Sequence, residues 1–267
     1  VQSLVGSEMC IRDSMIAYAV TLQQTNRQEK ALELYNRILE INENNPDAHV
    51  AKGHLLKTFG NINDSIKSYK KSYSIDKYFG DAYWSLANLK TYKFTDNEIK
   101  DLEKIIQDEY VNENEKIYMN FALGKAFEDR SDYQKSFHFY KSGNDMKKEI
   151  SKFTLEGFKE ECEMQKAICT TDLFQSKYDW GLDSKEPIFI LGLPRVGSTL
   201  IEQILASHSQ VEATHELPNI LAISHKLNLR KALDYDSKYP DILLSLSAPQ
   251  LKMIGEQYIK DAEIFRS

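Results

Sequence analysis

The feature that most constrains this chain is self-similarity at a spacing of 34 residues. Ala19, Gly53 and Ala87 are 34 apart, as are Tyr35 and Tyr69, and Ala31 and Ser65. A fixed period of this length marks a stacked array in which each unit is one supersecondary element. The alternation of small and large positions fits a pair of helices. The small residue lets the first helix approach the second, and the tyrosine fills the gap one layer on. Asn44 and the pair Asn45-Pro46 lie between units, where one helix stops and the next begins. Gly60 falls at the turn inside the middle unit. The spacing predicts paired antiparallel helices across 15–150.

These repeats resemble tetratricopeptide repeats. A further unit reads Phe121-Ala-Leu-Gly-Lys-Ala-Phe127, then Ser131-Asp-Tyr133, then Phe137-His-Phe-Tyr140. Its Gly124 lies 37 residues beyond Ala87, so the register slips by three. The segment 94–117 is irregular. Thr95-Asp-Asn-Glu98 is a capping box that opens a helix, and Asn112 and Asn114 mark its expected end. The reading is two clear repeats, one divergent repeat and one more after the slip; about three are needed for a stable solenoid. The competing reading is a plain helical bundle with chance periodicity. Such an array offers a scaffold or a concave face for a protein partner and holds no catalytic constellation. His49, His54 and His138 are scattered and read as ordinary packed or surface residues. The tyrosines at helical spacing read as core.

Composition limits the partners. Of 267 residues, 42% are hydrophobic and 28% charged, with a formal net charge of −6. A sequence-independent nucleic-acid binder would carry a clustered basic excess, so nucleic acid is not expected. No run of ~18 apolar residues exists, so no membrane span is expected. Cys10, Cys162 and Cys169 are odd in number and form no CxxC pair, which fits free thiols in a reducing, cytoplasmic setting. The chain starts at Val1, and Val5 to Ser14 resembles translated adapter read-through. Residues 1–14 are therefore read as a non-native leader. Beyond the repeats at 15–150, residues 151–186 read as a charged helical connector whose texture begins at about 144. Residues 187–267 form a second domain.

Candidate chemistry lies in about thirty residues of that domain. Pro187-Ile-Phe-Ile-Leu191 is a continuous apolar run, as in a strand buried on both faces of a parallel sheet. Gly192-Leu-Pro-Arg-Val-Gly-Ser-Thr199 follows, and the apolar stripe Leu200, Ile201, Ile204 and Leu205 predicts a helix over 198–208. Strand, glycine-bearing loop and helix make a phosphate cradle, in which backbone N–H groups and the helix N-terminus point at an anion. The spacing matches a Walker A loop except that Ser198 stands where the lysine would be. This loop carries its cation inside, at Arg195.

Pro194-Arg-Val-Gly-Ser-Thr-Leu200 resembles the 5′-phosphosulfate loop of sulfotransferases that use 3′-phosphoadenylyl sulfate (PAPS). The common form reads Pro-Arg-Ser-Gly-Thr-Thr-Leu; Val196 and Ser198 depart from it. Ile201-Glu-Gln-Ile-Leu-Ala-Ser-His208 continues the resemblance, as does the repeat fusion known in a bacterial subgroup. The resemblance implies PAPS held by Arg195, Val196, Gly197, Ser198 and Thr199, with Arg195 stabilising transition-state charge. It also implies a Glu216 base, because tyrosylprotein sulfotransferases place their catalytic glutamate at a matching distance. A base is needed, since an acceptor hydroxyl is a poor nucleophile until its proton is taken. His215 is a competing base, and Glu216 could instead cap or salt-bridge the next helix. No metal is implied. The acceptor is a protein tyrosine, a carbohydrate or a small molecule. The expected fold is an α-solenoid followed by the incomplete start of an α/β P-loop-like domain, mostly α overall, cut off before later strands and the 3′-phosphate motif. Alternatives are a P-loop-like kinase, disfavoured by Ser198, and a repeat adaptor with a vestigial nucleotide fold.

Overall fold

Small residues and tyrosines set the spacing of the helices. The structure, a computed structural model, describes residues 14–25, 27–214, 216–229 and 239–265. The chain divides into two units, one ending at Lys152 and the other starting at Phe153. The first holds α1 (14–24), α2 (Gln28–Ile41), α3 (Pro46–Thr58), α4 (Ile62–Ile75), α5 (Gly80–Ala87), α6 (Asp96–Ile105), α7 (Glu113–Glu128) and α8 (Tyr133–Ile150). α1 pairs with α2, α3 with α4 and α7 with α8, hairpins of an α-solenoid as the period predicts, whereas α5 packs on α4 and α7 and the pairing expected of it with the next helix does not form.

Several helix starts are written in the sequence. Asn45 caps α3 by accepting from the Ala48 N–H at 3.0 Å, and Pro46 occupies the first turn, where a missing N–H costs nothing. Thr95 and Glu98 form the expected capping box on α6. Gly60 turns the chain with φ +78°, a left-handed value that favours glycine. Asn112, expected to end a helix, begins one: its side chain accepts from the Glu115 N–H at 3.0 Å. An asparagine fits either boundary, and here the four orphan N–H groups of α7 claim it. The connector also differs from expectation. Residues 144–150 belong to α8, and the connector holds α9 (Leu155–Ile168) and α10 (Thr171–Ser176), followed by turns and irregular chain.

Within the hairpins the tyrosine packs directly on the small residue. A Cβ added to Gly53 would come within 2.5 Å of the Tyr69 ring, and one added to Gly124 within 2.6 Å of the Tyr140 ring. The Tyr69 hydroxyl meets His54 Nδ1 at 3.0 Å, and the Tyr35 hydroxyl donates to Gln23 at 3.0 Å. The third unit has no such tyrosine, because Glu103 stands 16 residues after Ala87. A half-buried network around Glu98 stands there instead. Glu98 Oε1 accepts from the hydroxyls of Tyr92 at 2.6 Å and Tyr73 at 3.1 Å and pairs with Lys70 at 2.9 Å. Its Oε2 accepts from the Thr95 N–H and hydroxyl, both at 2.9 Å.

The second unit adds α11 (Ser198–Ala206), α12 (Asn219–Leu229), α13 (Ile242–Ser245) and α14 (Ala248–Glu263). Its buried cluster is small: Leu227, Ile242 and Leu246, with Leu251 and Ile254 packed against it. Lys177 ties the connector to this cluster by donating to the Leu244 and Leu246 carbonyls at 3.2 and 2.6 Å. The strand expected at 187–191 does not form, and no strand occurs among the described residues. A strand is held by ladder hydrogen bonds to a neighbour, and no described segment supplies them. The apolar run therefore lies at the surface, with Leu191 89% exposed. Among the described residues no helix is long and apolar enough to cross a membrane.

Two outcomes test these contacts. Gly53→Ala should lower the stability of the repeat unit by roughly 1–3 kcal/mol through overpacking against Tyr69, read from the urea midpoint. Glu98 gives a pH dependence. Burial alone would push its carboxyl up, but the bonds from Tyr92, Thr95 and Lys70 outweigh burial and hold it at about 2, below an ordinary 4.5. Its contribution is therefore complete above the unfolded value and is lost as pH falls from about 4.5 towards 2. The repeat unit should lose more stability than its Glu98→Gln variant over that range, by roughly 1–2 kcal/mol after solvent screening. Equal losses in the two proteins would refute the role given to Glu98.

Candidate functional site

The loop between the apolar run and α11 is shaped by two left-handed residues. Arg195 has φ +71° and Gly197 φ +94°. The Val196 N–H donates to the Leu193 carbonyl at 3.2 Å, closing a tight turn. Gly192 allows this turn to close, because a Cβ there would approach Val196 Cγ2 to 2.6 Å. Gly197 then stands at the N-cap of α11. Glycine has no side chain to cap the helix, and no cap bond is made; the first turn, Ser198-Thr-Leu200, carries no acidic residue. The N–H groups of that turn have no partner within the helix, and the helix dipole places partial positive charge there. A helix start of this kind suits an anion.

An arginine in the left-handed region is strained by about 1–2 kcal/mol relative to ordinary backbone. Such strain accumulates where geometry serves a site. The Arg195 side chain is exposed, beside the start of α11.

A cleft of about 990 Å³ opens next to the loop, within the range of small-molecule sites. Gly192, Ser198, Thr199 and Glu216 are among its lining residues. The structure thus brings three of the residues read from the sequence to one cleft: Ser198, Thr199 and Glu216. Arg195, Val196 and Gly197 do not line it; they form the exposed turn beside it. His215, the competing base, lies outside the described residues. Glu216 is exposed in the segment leading to α12, so its carboxylate is open to solvent.

Residues that the sequence reading passed over share the cleft. Glu202 lies four positions after Ser198 on α11 and so on the same side of the helix, a signal that was present in the spacing. His208, Glu212 and Glu186 also line it. Phe189 from the irregular arm and Tyr258 from α14 meet with ring centroids 5.6 Å apart and form an aromatic wall. The resulting polarity is divided. Positive charge comes from Arg195 and the α11 start, while the carboxylates of Glu202, Glu212 and Glu216 line the cleft. That division suits an anionic donor at the loop and proton acceptance beyond it.

Parts of the chain are similar to known families. Residues 187–256 match the sulfotransferase family model, and residues 13–45 and 46–79 each match a tetratricopeptide repeat model. An uncharacterized protein of Aquifex aeolicus (strain VF5) is 29% identical over 240 residues, which cover 87% of this chain and 31% of that protein. The chain thus spans about a third of the length of that relative. The crystal structure of MamA aligns over 57% of this chain and 87% of its own, with 13% identity and a TM-score of 0.40.

The loop geometry is testable by itself. A Cβ at Gly197 would meet nothing within 4 Å, so the effect of Gly197→Ala comes from the backbone alone. The substitution should cost about 1–2 kcal/mol locally, seen as roughly tenfold faster hydrogen exchange of the first amides bonded within α11.

Proposed function

We propose that this protein transfers a sulfuryl group from PAPS to an acceptor hydroxyl. The observation that carries the reading is a loop with two left-handed residues that opens an uncapped helix start beside a cleft containing Glu216. The match of residues 187–256 to the sulfotransferase family supports it. The residues present fit the donor. The helix start offers N–H groups and no first-turn carboxylate, and the cleft is large enough for a nucleotide.

PAPS supplies the activated sulfuryl group. Arg195 and the N–H groups of Gly197, Ser198 and Thr199 hold the 5′-phosphosulfate and stabilise the charge that grows on its oxygens during transfer. The Glu216 carboxylate takes the acceptor's hydroxyl proton as the new oxygen–sulfur bond forms. The sulfur–phosphate oxygen bond breaks, and its electron pair leaves with adenosine 3′,5′-bisphosphate (PAP). Val196 brings no hydroxyl to the loop, so Ser198 and Thr199 provide the hydroxyl groups near the donor. The acceptor is a protein tyrosine, a carbohydrate or a small molecule. The reaction belongs to the cytoplasm, the repeats at 15–150 dock a protein partner, and residues 187–267 carry the catalytic domain.

The test uses radiolabelled PAPS and the longest natural polypeptide that carries these residues. Arg195→Ala should lose roughly 2–4 kcal/mol of transition-state stabilisation, as a lost oxyanion donor does, and should bind PAP more weakly. Unchanged turnover in that variant rules out the loop assignment. Glu216→Gln should lower kcat while leaving PAP affinity intact, since the base acts on the acceptor. Protection against heat by ATP but not by PAP would favour a kinase. Protection by neither would favour a repeat adaptor with a vestigial nucleotide fold.

A further inference from the structure

Three helices of the repeat unit carry a row of aromatic rings that the core does not fully absorb. Trp84 of α5 and Phe121 of α7 have ring centroids 5.5 Å apart, and Phe121 and Tyr140 of α8 are 6.4 Å apart. The planes are tilted by 47° and 41°, so none of these pairs stacks face to face. All three rings are half-buried, and Tyr118, one turn before Phe121 on α7, is exposed. The row is fixed from behind. Gly143 of α8 leaves room for the Phe121 ring, which an added Cβ would approach to 3.3 Å.

Carboxylates stand at both ends. Asp81 lies one turn before Trp84 on α5. Its carboxylate accepts from the Ser85 hydroxyl at 3.0 Å, and no ion pair to it is found among the described residues. Glu115 binds the Gly80 N–H at 2.5 Å where α5 meets α7, so a second carboxylate sits at that end. The Tyr118 hydroxyl is pushed up by burial and then by the charges of Asp81 and Glu115, which places all three groups in one field. At the other end Glu128 accepts from the Tyr140 hydroxyl at 2.9 Å. Lys125, the cation on α7 near the row, is already held by Asp129. The strip is therefore aromatic along its length and negative at its ends.

We propose that this strip docks an extended segment of a partner protein that carries arginine or lysine at alternate positions. Aromatic faces and carboxylates both attract cations, and an acidic segment would be repelled by Asp81, Glu115 and Glu128. The ring spacing fits an extended occupant. Side chains on one side of such a chain recur every ~6.6–7 Å, near the 6.4 Å step from Phe121 to Tyr140 and somewhat longer than the 5.5 Å step from Trp84 to Phe121. The inference deepens the reading of the repeats as a docking array and involves neither PAPS nor the residues around Arg195. Its failure is therefore distinguishable from failure of the sulfotransferase reading.

The test is fluorescence anisotropy on the full chain with a labelled peptide alternating arginine and glycine. Counterparts carrying citrulline or glutamate in place of arginine serve as controls. The arginine peptide should bind and the other two should not. Asp81→Asn and Phe121→Leu should each weaken binding by roughly fivefold to tenfold. Both variants are first checked by helical circular dichroism and melting. If Phe121→Leu fails to fold, Asp81→Asn decides, because it changes charge and not volume. The proposal is overturned by no binding of the arginine peptide, by equal binding of the citrulline or glutamate peptide, or by unchanged affinity in the folded variants. Self-association of the chain that the same variants abolish would also overturn it, by showing a second copy on the strip.

Discussion

The repeat unit depends on one contact made again and again: a tyrosine ring laid on a position too small to hold it off. Tyr69 lies on Gly53 and Tyr140 on Gly124. The contact sets how closely two helices approach, and that distance decides whether the rest of the apolar stripe is buried. Tyr35, Tyr69, Ala19 and Ala31 are all fully enclosed. Burying a ring this size supplies a large apolar area, but its hydroxyl must find a partner. The array meets that demand locally: Gln23, His54 and Glu128 each take one tyrosine hydroxyl from the paired helix. The third unit lacks the tyrosine and uses a charged carboxylate with several donors instead. That solution suits a shorter helix, because Glu98 also caps the helix it belongs to.

The second unit is organised by a different constraint. Its candidate loop has backbone in the left-handed region at two places, and that region is open to glycine and costly for arginine. Gly197 meets the need without strain. Arg195 does not, and its positive φ is the kind of local conflict expected where a side chain is held for a purpose other than folding. The surroundings do little to bury the loop. Ile188, Leu191, Leu193 and Leu200 remain exposed, and the unit's buried cluster lies with Ile242 and Leu246. Polar and apolar groups therefore share the cleft on similar terms.

Much of the array was legible because its determinants are local. The 34-residue period, the Asn45-Pro46 helix start, the capping box at Thr95 and the turn at Gly60 each depend on residues within a few positions of one another. Asn112 was misread because the same residue type serves both helix boundaries. The run at 187–191 was misread for a deeper reason. Its composition reports preference for a pleated, buried surface, but a strand exists only when another segment pairs with it. At the candidate site, the loop was legible from its glycine spacing, and Glu216 entered through the family resemblance. The wall made by Phe189 and Tyr258 was not, because it joins residues almost seventy positions apart. The place of Glu202 was available in the helical period and passed over.

The reach of the tyrosine contact has a kinetic consequence. Each ring finds its small partner only 16 residues upstream, and its hydroxyl partner within a similar distance. Closing so short a loop carries little entropic penalty, and topologies rich in near-neighbour contacts fold quickly. The hairpins α1/α2, α3/α4 and α7/α8 can therefore each close soon after the second helix leaves the ribosome. The second unit has no such privilege. Phe189 must wait for Tyr258, and Lys177 for the carbonyls of Leu244 and Leu246. During synthesis the array is thus a finished surface while the loop that follows it is still being made.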